Sequence, residues 1–368
     1  MSPERIRVGI VGCGDVAHRH YLPALAGLAD DVVVAACVDP DLEAARRAAD
    51  AVASWSPDAR LGDDLAVMLS SGVVDVVIDL APAPRHGEIN ARVLDAGLAL
   101  YTEKPLASDL RTADALIAAA RRSGQLFLSA PGVAVTRRVR WLSEVVRSGR
   151  YGPATLVVAQ HADPGPAAWR EYTGDPRPFY APGVGPVFDH GVYRLHTMTA
   201  LLGPVATVQA MGAISQPTRL VRGGPLTGST IEVTTPDHVL INLAFANGGL
   251  GQLLASFGTP STRAPWLEVH CTEATISCSG QSYELDAPID LYVDDDSPAA
   301  TEGWQLDVDA PRDEEGVVEA GVRHLVECLR GRAVPVLTAE HARHVLDITL
   351  RAYDSIADGA THPTSTTF

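Results

Sequence analysis

The chain has 368 residues, 46% of them hydrophobic and 20% charged, a globular balance with enough length for two cores rather than one. A formal net charge of −16, with no cluster among its 29 Lys and Arg, excludes a surface built to grip nucleic-acid phosphates or an anionic bilayer. No apolar stretch reaches the length of a membrane span, "MSPERIRVGIVGCG" lacks a secretory signal's apolar run, and the cysteines at 13, 37, 271, 278 and 328 are scattered, so a cytoplasmic chain with reduced thiols is expected.

The first third alternates strand and helix. "RVGIV" is a short apolar run suited to a strand buried on both faces. Gly12, Gly14 and Ala17 follow in the spacing G-x-G-x-x-G/A at a strand-to-helix junction, with Asp15 and Val16 in between. Each small residue has a mechanical reason: Gly12 for the tight turn, Gly14 for bare backbone against a pyrophosphate, Ala17 for close packing of helix on strand. The helix N-terminus then offers free N–H groups and a favourable dipole to the phosphates. "VVVAACVD" reads as a second buried strand closed by Asp39, at the spacing where a carboxylate binds the adenosine ribose hydroxyls. Such a carboxylate repels a 2′-phosphate and favours NAD over NADP; a plain turn at the strand end is the other reading of Asp39. Strands at "VVDVVIDLAP", "LALYTEKPL" and "QLFLSAPG" alternate with helices at "APRHGEINARVLDAG" and "LRTADALIAAARRSG". The expected fold is α/β, with a doubly wound parallel sheet of Rossmann type over residues 1–130. Dinucleotides bind beyond the carboxyl ends of such strands, where Ala81, Pro82, Glu103 and Lys104 fall.

From about Pro131 the pattern changes. The helix "TRRVRWLSEVVRSG" precedes strand-like runs at "ATLVVAQHA", "VATVQAMGAI", "HVLINLAFA" and "GQLLASFG", joined by loops rich in Gly and Pro. Helical stretches at 315–330 and 339–357 follow, and the tail "THPTSTTF" is expected to fray. Residues 131–368 are thus expected to form a second, α+β domain that binds substrate and carries the oligomer contacts. Within it "DHGVYRLH", residues 189–196, reads as a helix start in which Asp189, Tyr193 and His196 share one face at i, i+4 and i+7. His190 and His196 are six residues apart, a rotation of about 240° on a regular helix, so they do not chelate one ion. No H-E-x-x-H run or cysteine pair points to a metal, and none is expected.

Three stretches, "GIVGCGDVAHRHYLPAL", "APAPRHGEINARVLDAGLALYTEKPLA" and "GVGPVFDHGVYRLH", resemble the signature regions of one family, that of glucose–fructose oxidoreductase, inositol 2-dehydrogenase and the rhizopine-catabolism dehydrogenase. "HVLINLAFANGGLGQLLASF" and "WLEVHCTEATISC" extend the resemblance over nearly the whole chain. It implies an NAD(P)-binding Rossmann domain, then a domain on an open, mostly antiparallel sheet through which homodimers or homotetramers form. It also implies that Lys104, in the Glu-Lys-Pro motif, lies by the nicotinamide and touches the reacting hydroxyl. A fixed ammonium there stabilises a developing alkoxide and lowers the pKa of a neighbouring acid. Without the motif, Lys104 reads as a surface residue. In relatives this proline often follows a cis peptide.

The family's Asp-x-Gly-x-His is matched at Asp189 and Gly191, but Tyr193 stands where a catalytic histidine is usual, as in some sugar-directed relatives. A phenol's ordinary pKa of about 10 suits it poorly to proton transfer at neutral pH, and Lys104 would favour phenolate. Tyr193 is read as the group that exchanges the substrate's hydroxyl proton, and Asp189 as holding a neighbouring hydroxyl or orienting Tyr193 or Lys104. His196 is either the alternative acid/base or a helix histidine bonded to backbone. His86 matches a position where relatives often have histidine, with helix-start packing an equal reading. Trp169, Arg170 and Tyr180 either line a sugar pocket or only shield it. The implied reaction interconverts a secondary alcohol and a ketone on a sugar, glycoside or cyclitol. The alternatives are a redox-neutral enzyme whose bound NAD takes and returns hydride, or a non-catalytic dinucleotide sensor.

Overall fold

The structure, a computed structural model, describes residues 4–69, 72–280, 287–294, 296–297, 300 and 303–368. The chain packs as two units, Met1–Val135 with Val317–Leu346, and Thr136–Gly316 with Asp347–Phe368. Among the described residues no helix is long and apolar enough to cross a membrane, and all five cysteines are free thiols.

The first unit alternates β1 (Ile6–Val11), α1 (Leu22–Ala26), β2 (Val32–Val38), α2 (Leu42–Val52), β3 (Arg60–Gly62), α3 (Ala66–Leu69), β4 (Val76–Asp79), α4 (His86–Asp95), β5 (Ala99–Thr102), α5 (Leu110–Ser123) and β6 (Phe127–Ser129). The strands form one sheet in the order β3-β2-β1-β4-β5-β6, every pair parallel. Val8, Ile10, Val34, Ala36, Val77, Ile78 and Leu100 are buried, which is why these strands read as unbroken apolar runs rather than alternating ones. Helix ends follow local chemistry: the Asp109 carboxylate accepts the Thr112 N–H at 2.9 Å, and Gly124, at φ 67°, closes α5 in the left-handed region. Strand order reverses between β1 and β4, the switch point at which such sheets hold ligands.

The second unit runs through α6 (Arg137–Ser148), β7 (Ala154–Ala162), α7 (Val192–Leu202), β8 (Val205–Ala213), β9 (Thr218–Leu220), β10 (Thr230–Glu232), β11 (His238–Phe245), β12 (Leu250–Ser256), β13 (Leu267–Cys271), β14 (Ala274–Cys278), β15 (Ile289–Val293) and β16 (Trp304–Gln305). The chain closes with α8 (Val317–Leu329), α9 (Ala339–Asp358) and β17 (His362–Pro363). The large sheet has the order β16-β15-β14-β13-β7-β12-β11-β8-β17, antiparallel except between β7 and β12. Val239, Ile241 and Leu243 face its core, while Met211, Leu240 and Leu250 stand exposed on the other side, the alternation of a sheet with one covered face.

Two features differ from the sequence reading. The division is not a single cut at 130–131, because Val317–Leu346 packs with the first unit. A Cβ on Gly132 would strike the Val317 carbonyl oxygen and sit 2.6 Å from the Gly321 nitrogen, so α8 lies directly on the Gly132 turn, with Val322, Leu325 and Val326 buried. Periodicity identifies such a helix but not the core its face meets. The tail is also anchored rather than frayed. β17 pairs with β8, and the buried Asp347 carboxylate accepts the Ser365 N–H at 2.6 Å and the Ser365 and Thr366 hydroxyls at 2.9 and 3.2 Å.

Candidate active site

In the first unit the glycine turn meets the end of β4. Gly12 has φ 84°, and a Cβ there would lie 2.7 Å from the Ala81 nitrogen and the Leu80 carbonyl. Only glycine lets the two strand ends approach this closely. Gly14 differs: a Cβ on it would meet nothing within 4 Å, so space is left over bare backbone at the start of the helix. Asp15 is half-buried and Val16 exposed beside it, while Ala17 is fully buried against the sheet. Asp39 just beyond β2 is anchored at both oxygens, accepting the Cys13 N–H and the Asp41 N–H, each at 2.9 Å. Asp79 ends β4 fully buried, and desolvation raises its pKa. It accepts the Ala81 N–H at 3.0 Å and so fixes the turn that carries Ala81 and the exposed Pro82.

Lys104 follows β5, and its peptide to Pro105 is cis. Glu103 braces it: one carboxylate oxygen accepts the Lys104 N–H at 2.8 Å, the other the Tyr21 hydroxyl at 2.6 Å. Both Glu103 oxygens thus serve the fold's own donors. His86, buried at the start of α4, spans two loops, with Nδ1 2.7 Å from the Pro105 carbonyl oxygen and Nε2 2.8 Å from that of Ala81. Its ring ties the β4 turn to the Lys104 loop at the start of α4.

In the second unit the polar residues gather around a π-helical turn, Val187–Gly191, which leads into α7. Its wider winding is visible in the Val192 N–H, which reaches the Val187 carbonyl five residues back. The regular 3.6-residue phase that would put Asp189, Tyr193 and His196 on one face therefore does not run through Asp189. Asp189 and His190 are buried, with Asp189 Oδ2 3.5 Å from His190 Nε2. His196 is buried and Tyr193 half-buried, with the Tyr193 ring edge-on to that of His190 at 6.4 Å. Trp169 stacks on His190 at 5.4 Å, and Arg170 is exposed. Tyr180 is tied into the packing beside this group, sharing Phe257 with His190. Its hydroxyl accepts the buried Ala167 N–H at 3.1 Å, and its ring packs among Val221, Ile231, Val233 and Phe257. Burial pushes its pKa up to about 12.

Two further residues join His190 from the end of β7. His161 lies with its ring centroid 3.9 Å from that of His190, and Asp163 Oδ2 is 3.1 Å from His161 Nε2 and 3.6 Å from His190 Nδ1. Burial lowers the His161 pKa, opposed by Asp163. The signal in the sequence was "HAD": two polar residues at i and i+2 at a strand end share a side.

Residues 6–130 match the description of an oxidoreductase family with an NAD-binding Rossmann fold, and residues 139–277 that of the GFO/IDH/MocA C-terminal domain. The chain belongs to the Gfo/Idh/MocA oxidoreductase family. Among its relatives is a dTDP-3,4-didehydro-2,6-dideoxy-alpha-D-glucose 3-reductase of Streptomyces antibioticus, 28% identical over 289 residues, 74% of this chain and 83% of that one. A D-glucoside 3-dehydrogenase of Escherichia coli (strain K12) is 24% identical over 362 residues, 98% of this chain and 97% of that one. An NAD binding oxidoreductase from Klebsiella pneumoniae shares the fold, with a TM-score of 0.80 at 21% identity over 99% of this chain and 100% of that one. As a Gfo/Idh/MocA protein the chain is an NAD-binding oxidoreductase, and its residues fit the cofactor. The open space over Gly14 suits a pyrophosphate, and the anchored Asp39 carboxylate suits a ribose diol.

Proposed function

We propose that this protein interconverts a secondary alcohol and a ketone on a sugar, a glycoside or a cyclitol, with NAD as hydride partner. The observation that carries this reading is the pairing of that cradle, Gly14 and Asp39 at the strand ends, with the Lys104 loop braced beside it by Glu103 and His86. The sugar-directed relatives support the substrate class. When bound, NAD accepts hydride at nicotinamide C4. The chain's groups do the rest. Gly12, Gly14 and the helix N-terminus, with Asp15, Val16 and Ala17, receive the pyrophosphate; Asp39 binds the adenosine ribose and disfavours NADP; Ala81, Pro82, His86 and Glu103 shape the edge of the cradle. Lys104 stabilises the alkoxide as the C–H bond breaks. Tyr193 takes the hydroxyl proton, Asp189 holds the substrate through a second hydroxyl, and Trp169 offers an apolar face to a sugar ring. His196 is the alternative base.

The exposed face with Met211, Leu240 and Leu250 supports a homo-oligomer, and the chain's charge and free thiols suit the cytoplasm. The test is a screen of aldoses, glycosides and inositols for nicotinamide reduction, with Tyr193→Phe and His196→Ala compared across pH and cofactor affinity monitored in each. Loss of turnover in the Phe variant at unchanged NAD affinity is expected. Native turnover in that variant would give the proton to another group. Product formed with no net change in nicotinamide would replace the reading by one in which hydride returns within the turnover.

A further inference from the structure

We infer that His161, Asp163 and His190 form a binding site for one first-row divalent transition-metal ion. Two imidazole nitrogens and a carboxylate oxygen are the donors that Zn²⁺ and Mn²⁺ take from proteins. One donor atom from each of the three residues lies within 4.8 Å of the other two, and the nitrogens nearest Asp163 Oδ2 are His161 Nε2 and His190 Nδ1. Ligands about 2.1 Å from one ion at tetrahedral or octahedral angles stand roughly 3.0–3.4 Å apart. The spacings to Asp163 Oδ2 are 3.1 Å from His161 and 3.6 Å from His190, so the first already falls in that range and the second closes by a few tenths of an ångström on binding. The imidazole planes are tilted by 49° with centroids 3.9 Å apart, and binding requires the two rings to part so that both nitrogens face one ion.

The surroundings are those of a held ligand set. Asp163 is fixed by its other oxygen, which accepts the Gly165 N–H at 2.7 Å. Trp169 covers one face of His190. Asp189 Oδ2 stands 3.5 Å from His190 Nε2, the ring nitrogen that does not face Asp163, a short step from the carboxylate–histidine contact that orients a metal-bound imidazole. Three protein donors leave at least one coordination position open to water or to a substrate oxygen. The helix-phase argument that separates His190 from His196 is untouched, because the partners of His190 come from β7 instead. The inference stands on this cluster alone and does not depend on the substrate or on Tyr193.

The experiment uses the full chain, stripped with chelator and titrated with ZnSO4 and MnCl2 by calorimetry, with Co²⁺ as a spectroscopic probe. One equivalent per chain is expected, Zn²⁺ binding more tightly than Mn²⁺, with visible Co²⁺ bands. His161→Gln and Asp163→Asn should each weaken Zn²⁺ by more than tenfold, and Asp189→Asn should weaken it by about 10–100-fold through His190. X-ray absorption of the zinc-loaded native chain should show two imidazole nitrogens in the first sphere, a readout that needs no variant to fold. Absence of stoichiometric binding, zinc affinity retained in the His161→Gln/Asp163→Asn double variant, or a first sphere without two imidazoles would each overturn the inference and leave a hydrogen-bonded His–Asp group.

Discussion

Gly12 and Gly14 stand two residues apart and do opposite things. At Gly12 a methyl group would collide with the backbone of the β4 turn and a positive φ would be forced on an L-residue. Gly12→Ala should therefore cost about 1–3 kcal/mol of stability as well as cofactor affinity. At Gly14 the backbone is ordinary and the space open. Gly14→Ala should leave the melting temperature almost unmoved while NAD affinity, followed by fluorescence titration, falls at least tenfold. Native NAD affinity in Gly14→Ala would mean that the space over Gly14 is not the pyrophosphate's. Tyr180 offers a third contrast. It was one of two readings as a pocket residue, yet its hydroxyl serves a buried backbone N–H. Tyr180→Phe leaves that donor unsatisfied and should cost about 1–3 kcal/mol in urea unfolding, with KM for the sugar unchanged. A raised KM at native stability would return it to the pocket.

The tail shows what an element owes to distant residues. β17 and Thr364 are held along β8, and the two residues after them by Asp347, a buried carboxylate in α9 that collects donors from Ser365 and Thr366 and also the Arg351 guanidinium at 3.2 Å. Deleting 361–368 should cost at least about 2 kcal/mol, since hydrogen bonds to a charged group are the strong ones, and a melt of the truncated chain measures it. No loss would show that Asp347 finds equal partners in water. "THPTSTTF" gave no hint of this, because a polar segment without periodicity looks the same free or bound. The elements with a period were legible. The β1 turn with its glycines, the Asp39 strand end, the Glu103–Lys104 loop and β7 all fall where composition and spacing put them. What was hidden depends on long-range packing: the face of α8, and the widened turn before α7 that carries His190 toward His161 and Asp163 rather than along a regular helix. A π turn leaves no periodic trace in so short a stretch.

The molecule as a whole carries buried histidines in both units, and these set how it responds to acid. His341, on α9 in the first unit, is held neutral: burial and the neighbouring His344 push its pKa down to about 3. An unfolded chain titrates histidine near 6.5. Between those values the unfolded state binds the extra proton, so stability is fully present above pH about 6.5 and declines as pH falls toward 3, by up to about 1.4 kcal/mol per pH unit for this one group. His161 in the second unit is shifted in the same direction by its burial, and adds to the slope. The opposite class of group acts lower. Asp237, desolvated but held down by the Ser215 N–H at 2.6 Å and the Arg219 guanidinium at 2.7 Å, stabilises the fold above the ordinary carboxylate pKa and loses that contribution only as pH falls through its lowered value. The expected outcome is a protein that weakens well before carboxylates titrate. Urea unfolding at pH 7 and pH 5 should show His341→Gln losing about 1–2 kcal/mol less than the native chain across that interval, with a residual slope from His161. The same loss in both would mean that His341 is not the group whose protonation unfolds the first unit.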